Sequence, residues 1–342
     1  MRGLVLTGNR QLEVREYPKP TAGPGQIVLK MKVAAICGSD IRRFRNPPNP
    51  DEIMYTTGHE PCGIVEEVGI GVTHVKPGQR VAIYHYIGCN ECSICAAGLP
   101  QHCAKGRGLG HPYSDGSDAD YLVVEAMYVV PLPDELSFID GVFAACIAGT
   151  SYHALKAFEL SSMTNLCIFG LGPVGMVAVR LAKAMGPRKI ICVDPNPARR
   201  QMALDIGADL VLDSDDETVE KILEYTNGGA QLVLETSGSI IAQKMTVQCA
   251  SIFGKIVVIG IVGCYDVEGG VNLSDLILKG LTVVGSYVIS LSEFYDLLDF
   301  MVDKDIHFED LVTDRFDLDQ AEEAFRLFDE GGAVGKVIFE FD

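Results

Sequence analysis

Residues 166–186 read LCIFGLGPVGMVAVRLAKAMG. A short apolar run leads into Gly170, Gly172 and Gly175, and an apolar stretch at helical spacing follows. A G-x-G-x-x-G element is weak alone. Set between a strand and a helix, with a second strand (KIICVD, 189–194) behind it, it commits the region to a βαβ unit. Parallel strands joined in this way need helices on both faces, which leaves few folds. Gly170 permits a tight turn, Gly172 lets the backbone reach a pyrophosphate, and Gly175 lets helix and strand approach. Pro173 and Val174 complete the loop, and the pyrophosphate meets the helix N-terminus. Asp194 ends the next strand, twenty-two residues beyond Gly172. A carboxylate there accepts hydrogen bonds from ribose hydroxyls and repels a 2′-phosphate, which predicts NAD rather than NADP. Arg199 and Arg200 weigh against that preference, since either is long enough to reach a phosphate; Arg199 is counted with the cofactor-binding residues.

The flanking sequence differs in character. Up to about residue 140 short apolar runs alternate with turn residues: GQIVLKMKVAAIC (25–37), GIVEEVG (63–69), RVAIYHYI (80–87) and ADYLVVE (119–125). FAACIAGTSYHALKAF (143–158) has helical spacing. Strands at LVLE (232–235), KIVVIG (255–260) and LTVVGS (281–286) then alternate with helical stretches, as in a doubly wound parallel sheet. After it come two amphipathic helices, 292–303 and 319–332, and a strand, GKVIFEF (335–341). The pattern predicts an α/β protein in which a dinucleotide-binding domain, 148–287, is inserted into a β-rich domain, 1–147 with 288–342.

Four cysteines, Cys89, Cys92, Cys95 and Cys103, fall within GCNECSICAAGLPQHC at spacing C-x2-C-x2-C-x7-C, in a lobe of about 88–104. Two disulfides compete with one metal ion. A chain of 342 residues, 48% hydrophobic, buries a core without staples. The N-terminal stretch has no signal-peptide pattern and no run approaches 18 apolar residues, so a cytoplasmic protein with reduced thiols and no membrane partner is expected. The total of eleven cysteines is odd, and the last gap of seven departs from common iron–sulfur spacing. The four thiolates are therefore expected to hold one structural Zn²⁺. A four-thiolate site is closed and does no chemistry itself. The net charge of −18 argues against nucleic acid as a partner.

Further ligand-type residues lie in AICGSD (35–40), TTGHEPCG (56–63) and AACIAGTSYHALK (144–156). Together they supply Cys37, His59 and Cys146. Two thiolates, an imidazole and an open fourth position make a catalytic zinc site. In this combination (CGSD, GHE, the four-cysteine lobe, GLGPVG with its Asp, and the terminal GKVIF, in that order) the whole chain resembles the zinc-dependent medium-chain alcohol/polyol dehydrogenases. The resemblance implies a GroES-like β-rich catalytic domain with a Rossmann domain, two Zn²⁺ per chain, and NAD. It implies that Cys37, His59 and Cys146 bind the catalytic zinc and that Glu60 serves as an alternate ligand. Asp40 orients His59, and Ser39 passes the substrate proton onward. Cys146 matches the alcohol-dehydrogenase form of the third ligand, where polyol and threonine dehydrogenases commonly have Glu or Asp, so the resemblance alone does not give the substrate; a secondary alcohol or polyol/cyclitol, or the matching ketone, is expected. LTVVGSYVI (281–289) forms a dimer edge in the family, implying a homo-dimer or homo-tetramer.

One departure concerns proton transfer. Many alcohol dehydrogenases place a His a few residues after the serine, where this chain has Arg42 and Arg43. Arginine is no base at ordinary pH. The proton leaves through water, the cofactor ribose or another side chain, and Arg42 either neutralises the pyrophosphate or is a surface charge. Tyr84, His85 and Tyr86 are either pocket residues or one more buried strand; polar groups facing the metal favour a polyol over an alkyl alcohol. Two rival readings are a zinc-independent NADPH quinone or enone reductase and a non-catalytic nucleotide-binding protein on the same fold. Both are disfavoured by the two intact ligand sets.

Overall fold

The computed structural model describes residues 1–48, 55–111, 114–261, 271 and 273–342, and these divide into two units, Met1–Gly149 with Ile289–Asp342, and Thr150–Val288.

The first unit is built on the ten-residue strand Gln26–Ala35. Ile27, Val28, Leu29 and Met31 are fully buried on it. It pairs antiparallel with Cys62–Val68, with Tyr121–Glu125 through its first half, and with Lys336–Glu340 through its last residues. The sheet continues through Arg80–Ile83 to Val129–Pro131 on one side and to Val312–Phe316 on the other. A hairpin, Arg2–Gly8 with Gln11–Glu16, turns at Asn9 and Arg10, both at positive φ, which suits a tight two-residue turn. Leu4, Phe44, Phe325 and Phe339 share an apolar cluster that seats the helices Gly38–Arg45 and Ala321–Asp329.

The strand expected over 80–87 is interrupted. Arg80–Ile83 belongs to the main sheet, whereas Tyr86–Ile87 pairs with Arg107–Gly108. Tyr84 and His85 sit at the break. Helical structure runs from Phe138 to Lys156, with a π-helical stretch, Ala144–Ala148, in its middle. By length and composition this run could cross a membrane, but 83% of its window is buried inside the protein, as befits a core helix.

The second unit is a six-stranded parallel sheet in the spatial order Leu210–Leu212, Lys189–Val193, Asn165–Phe169, Ala230–Glu235, Ala250–Val258, Thr282–Gly285. The chain order reverses between Asn165–Phe169 and Ala230–Glu235, which is the topological switch point of a doubly wound sheet. Phe169, Ile191, Val193 and Val233 fill the core. The architecture is the expected α/β one, a β-rich unit and a Rossmann-type unit.

Candidate metal and cofactor sites

The first site begins at a helix start. Cys37 is the N-cap of Gly38–Arg45, and its backbone N–H donates to Asp40 Oδ2 at 2.8 Å. The other oxygen of Asp40 lies 3.2 Å from His59 Nδ1. One carboxylate thus fixes the helix entry and the imidazole together. With Nδ1 turned to Asp40, the Nε2 lone pair is left for a cation. Cys146 comes from the π-helical stretch, whose widened turn recurs at functional positions. One donor atom from each of Cys37, His59, Glu60 and Cys146 lies within 4.8 Å of the others.

The electrostatics suit a divalent cation. A hydrogen bond from Cys146, helped by His59, holds the Cys37 thiol well below its usual range, against the effect of burial. The same contact and burial push Cys146 well above its range. The opposite shifts arise from the contact between the two sulfurs, and a bound cation would take the place of the proton between them. Burial disfavours charge on His59, but Asp40 and Cys37 outweigh it and raise its pKa well above the ordinary value. Two sulfurs, one imidazole and one carboxylate form a set suited to Zn²⁺.

Glu60 is fully buried and Lys336 is 1% exposed. Lys336 Nζ is 2.8 Å from both carboxylate oxygens. Only Oε1 meets hydrogen-bond geometry, so Oε2 has the ion pair and no hydrogen bond. Burial pushes Glu60 up to about 7 while Lys336 pulls it down. Lys336 itself stays charged: burial is outweighed by Glu60, Cys37 and Cys146. Ser39 is half-buried in the first turn after Cys37, and Arg42 is exposed on the same helix.

Two histidines adjoin this cluster. The His85 ring lies 5.3 Å from the His59 ring, and the His111 ring 6.1 Å from it. Burial, with His59 adding to it, lowers His85 to about 3. Tyr84, by contrast, is a core residue, its single hydroxyl hydrogen placed between two acceptors, Gln101 Oε1 at 2.9 Å and the Ile289 carbonyl at 2.8 Å. Tyr86 is half-buried and packs on His85 at 4.8 Å. His85 was recognisable in the sequence only as part of a Tyr-His-Tyr run. Nothing in the sequence distinguished His111 or Lys336.

In the lobe, ligand atoms of Cys89, Cys92, Cys95 and Cys103 also lie within 4.8 Å of one another, and all four cysteines are free. Cys92 Sγ and Cys103 Sγ are 3.9 Å apart. That is close to the ~3.8 Å edge of a tetrahedron with ~2.3 Å metal–sulfur bonds, and far from a ~2.05 Å disulfide. Backbone N–H groups of Cys89 and Cys95 point at Cys103 Sγ and Cys92 Sγ, each at 3.4 Å. These contacts lower both thiols, Cys103 to about 6, and favour the metal-binding thiolate form.

In the second unit, Gly170 has φ +91° and its N–H bonds the Val193 carbonyl at 2.8 Å. A Cβ on Gly175 would fall 1.9 Å from Gly170 O, so helix and strand touch backbone to backbone here. A Cβ on Gly172 would meet nothing within 4 Å. The loop is therefore open at Gly172, at the N-terminus of Pro173–Met185, as a pyrophosphate cradle requires. Asp194, 5% exposed, accepts from Leu171 N at 2.7 Å and Asn196 N at 2.8 Å. Each oxygen keeps a further lone pair for a ribose hydroxyl. Arg200 is committed to the Asp194 carbonyl at 2.7 Å and to Asp213 at 3.2 Å. Arg199 is half-buried in the first turn of Pro197–Asp205. The carbonyl of Val174, in the glycine loop, accepts from Ser151 Oγ at 2.9 Å.

Residues 23–134 match the alcohol dehydrogenase GroES-like domain, and residues 173–303 the zinc-binding dehydrogenase family. A zinc-type alcohol dehydrogenase-like protein of Escherichia coli K12 is 35% identical over 355 residues, covering 100% of this chain and 99% of that protein. L-idonate 5-dehydrogenase of Vitis vinifera is 30% identical over 98% of this chain and 93% of its own length. The structure resembles alcohol dehydrogenase TADH of Thermus sp. ATN1 with a TM-score of 0.91, 26% identity and 99% coverage of both chains.

Proposed function

The chain belongs to the zinc-dependent alcohol dehydrogenase family, and from that premise we propose that it transfers a hydride between a secondary alcohol or polyol/cyclitol and NAD. The observation that carries this reading is the convergence of Cys37, His59, Glu60 and Cys146 on one buried point.

Cys37, His59 and Cys146 hold the catalytic zinc, and Cys89, Cys92, Cys95 and Cys103 hold a structural one. When bound, zinc supplies Lewis acidity that lowers the pKa of an alcohol, and NAD supplies the hydride acceptor. Asp40 keeps His59 turned with Nε2 inward. Glu60 stands by as an alternate ligand while Lys336 holds it back. Ser39 takes the substrate proton at its hydroxyl and hands it outward; Arg42, exposed and cationic, takes no part as a base. Gly170, Gly172, Pro173, Val174 and Gly175 cradle the pyrophosphate. Asp194 selects NAD by accepting from the ribose, with Arg199 beside it.

A polyol substrate is supported by the polar groups near the ligands and by relatives such as the L-idonate and L-threonine dehydrogenases. The protein works in a reducing compartment, the cytoplasm, where the lobe thiols remain available. A homo-dimer or homo-tetramer is supported by the strand Thr282–Gly285, which is last in the sheet order among the described residues. Near it in sequence, Ile277 and Leu278 are 79% and 81% exposed. Long apolar edges are ordinarily covered, and light scattering reads the assembly.

The test joins metal analysis to a screen. Two zinc ions per chain and NAD⁺-linked turnover of an alcohol, polyol, cyclitol or amino alcohol are expected. A zinc-free protein, or one that uses only NADPH on activated alkenes, overturns the reading.

A further inference from the structure

His85 has two ring nitrogens and the protein uses one. Nδ1 lies 2.7 Å from the Ala145 carbonyl, an acceptor only, so Nδ1 carries the hydrogen. Nε2 has no hydrogen-bond partner among the described residues. The residue is 3% exposed. Nε2 is not among the fully shielded polar atoms that lack a partner, so it keeps contact with solvent and is open to a ligand, whereas the hydroxyl of the neighbouring Tyr84 is held inside the protein.

The position of the ring says what it is for. It packs against the His59 ring at 5.3 Å and is tied to the carbonyl next to Cys146. It is thus anchored beside two of the metal-binding side chains, yet its nitrogen is outside the set of four converging donors. A group so placed meets the substrate beside the reacting oxygen rather than the metal itself. Tyr86 packs on the His85 ring itself at 4.8 Å and limits its rotation.

Resting on the dehydrogenase reading above, we infer that His85 is a specificity-determining residue, its Nε2 accepting a hydrogen bond from a second hydroxyl on the carbon next to the carbinol. With Nδ1 as donor, Nε2 presents a lone pair, which a hydroxyl hydrogen satisfies and a methyl group leaves unpaired. A bound mono-alcohol shuts this acceptor off from water without pairing it, and that penalty is the asymmetry by which enzymes reject substrates lacking a hydroxyl. The substrate class is therefore the vicinal diol, as in polyols and cyclitols.

The test compares 2-butanol, 2,3-butanediol and 3-amino-2-butanol on the zinc-loaded protein with NAD⁺. The variants are His85→Asn, whose amide reaches only the Nδ1 position, and His85→Gln, whose amide reaches the Nε2 position. The ratio of kcat/KM for diol over mono-alcohol should fall on the order of tenfold or more in His85→Asn, and His85→Gln should recover part of it. A purely structural histidine gives the reverse order, because His85→Asn keeps the link to Ala145; that order, or an unchanged ratio, overturns the inference. An amino alcohol preferred over the diol, with the preference lost in His85→Asn, overturns the hydroxyl assignment in favour of an amine. Calorimetric binding of 2,3-butanediol without NAD⁺ provides a readout independent of turnover. Weaker binding to His85→Asn at unchanged zinc content is expected, and equal binding overturns the inference. Failure of all three compounds to turn over with both zincs bound strikes instead at the dehydrogenase reading.

Discussion

Lys336 faces Glu60 across 2.8 Å in the interior of the β-rich unit, with 1% and 0% of their surfaces exposed. Lys336 is on the last strand and Glu60 belongs to the GHE segment, so the pair joins residues 276 apart in sequence. Removing one partner of a buried pair leaves a charge without compensation. Lys336→Met should lower stability toward denaturant by about 3–5 kcal/mol. Lys336→Arg should lose less, since it keeps the charge. A Lys336→Met protein as stable as wild type would mean that Glu60 is neutral in the fold.

Cys146→Ala should leave one zinc per chain. The two donor sets share no residue, and the lobe closes on its own four sulfurs. Turnover should drop by several orders of magnitude, because an alcohol without the metal keeps a pKa far above neutrality. Binding of NAD should persist. Metal analysis and cofactor titration on the same sample check all three; two zincs with full turnover would exclude Cys146 as a ligand.

Gly175→Ala tests the cofactor loop. The new Cβ would stand 1.9 Å from the Gly170 carbonyl oxygen and 2.9 Å from its carbon, both backbone atoms that cannot swing away. The helix Pro173–Met185 must then move off its strand and carry the loop with it. NAD affinity should fall at least about tenfold, while zinc content stays at the wild-type level. Unchanged NAD affinity would show that the loop does not set cofactor binding.

The cofactor unit was legible because its signals are local. A strand, a glycine turn and a helix lie within residues 166–186, and the periodicity carries the rest of the sheet. The four lobe cysteines were legible for the same reason. Cys37, His59 and Cys146 are distant in sequence, and residue type with the family pattern singled them out. What stayed hidden depends on long-range packing. Lys336 sits in GKVIF, an ordinary apolar strand whose lysine would be taken as solvated; only the fold turns it inward to Glu60. His85 read equally as a pocket residue or as one position of a strand over 80–87, and only the fold shows that the sheet breaks at it. The π-helical stretch at Cys146 has no signature in AACIA, since such turns come from tertiary constraint rather than propensity. Leu210–Leu212 was missed because three half-buried residues are too few to show a period.

The last prediction concerns pH and a region outside both ligand sets. Asp140 caps the helix Phe138–Phe143 through Ser137, and its Oδ1 also accepts from Phe308 N at 2.9 Å. Its Oδ2 is 3.0 Å from His307 Nδ1. This hydrogen bond outweighs desolvation and raises the His307 pKa, with Asp305 adding to it. A raised folded-state pKa fixes the sign. The contribution of His307 to stability is fully present below the unfolded value of about 6.5, and it is lost as pH rises through the folded-state pKa. The His307 side chain is 44% exposed, so solvent screening holds the contribution to about 1 kcal/mol or less. His307→Gln should therefore be less stable than wild type at mildly acid pH, and the gap should close as the wild-type imidazole deprotonates. Denaturation at a series of pH values gives the gap, and an NMR titration of the same ring locates its pKa. A gap that widened with rising pH would mean that the neutral imidazole, not the cation, is the form bound to Asp140.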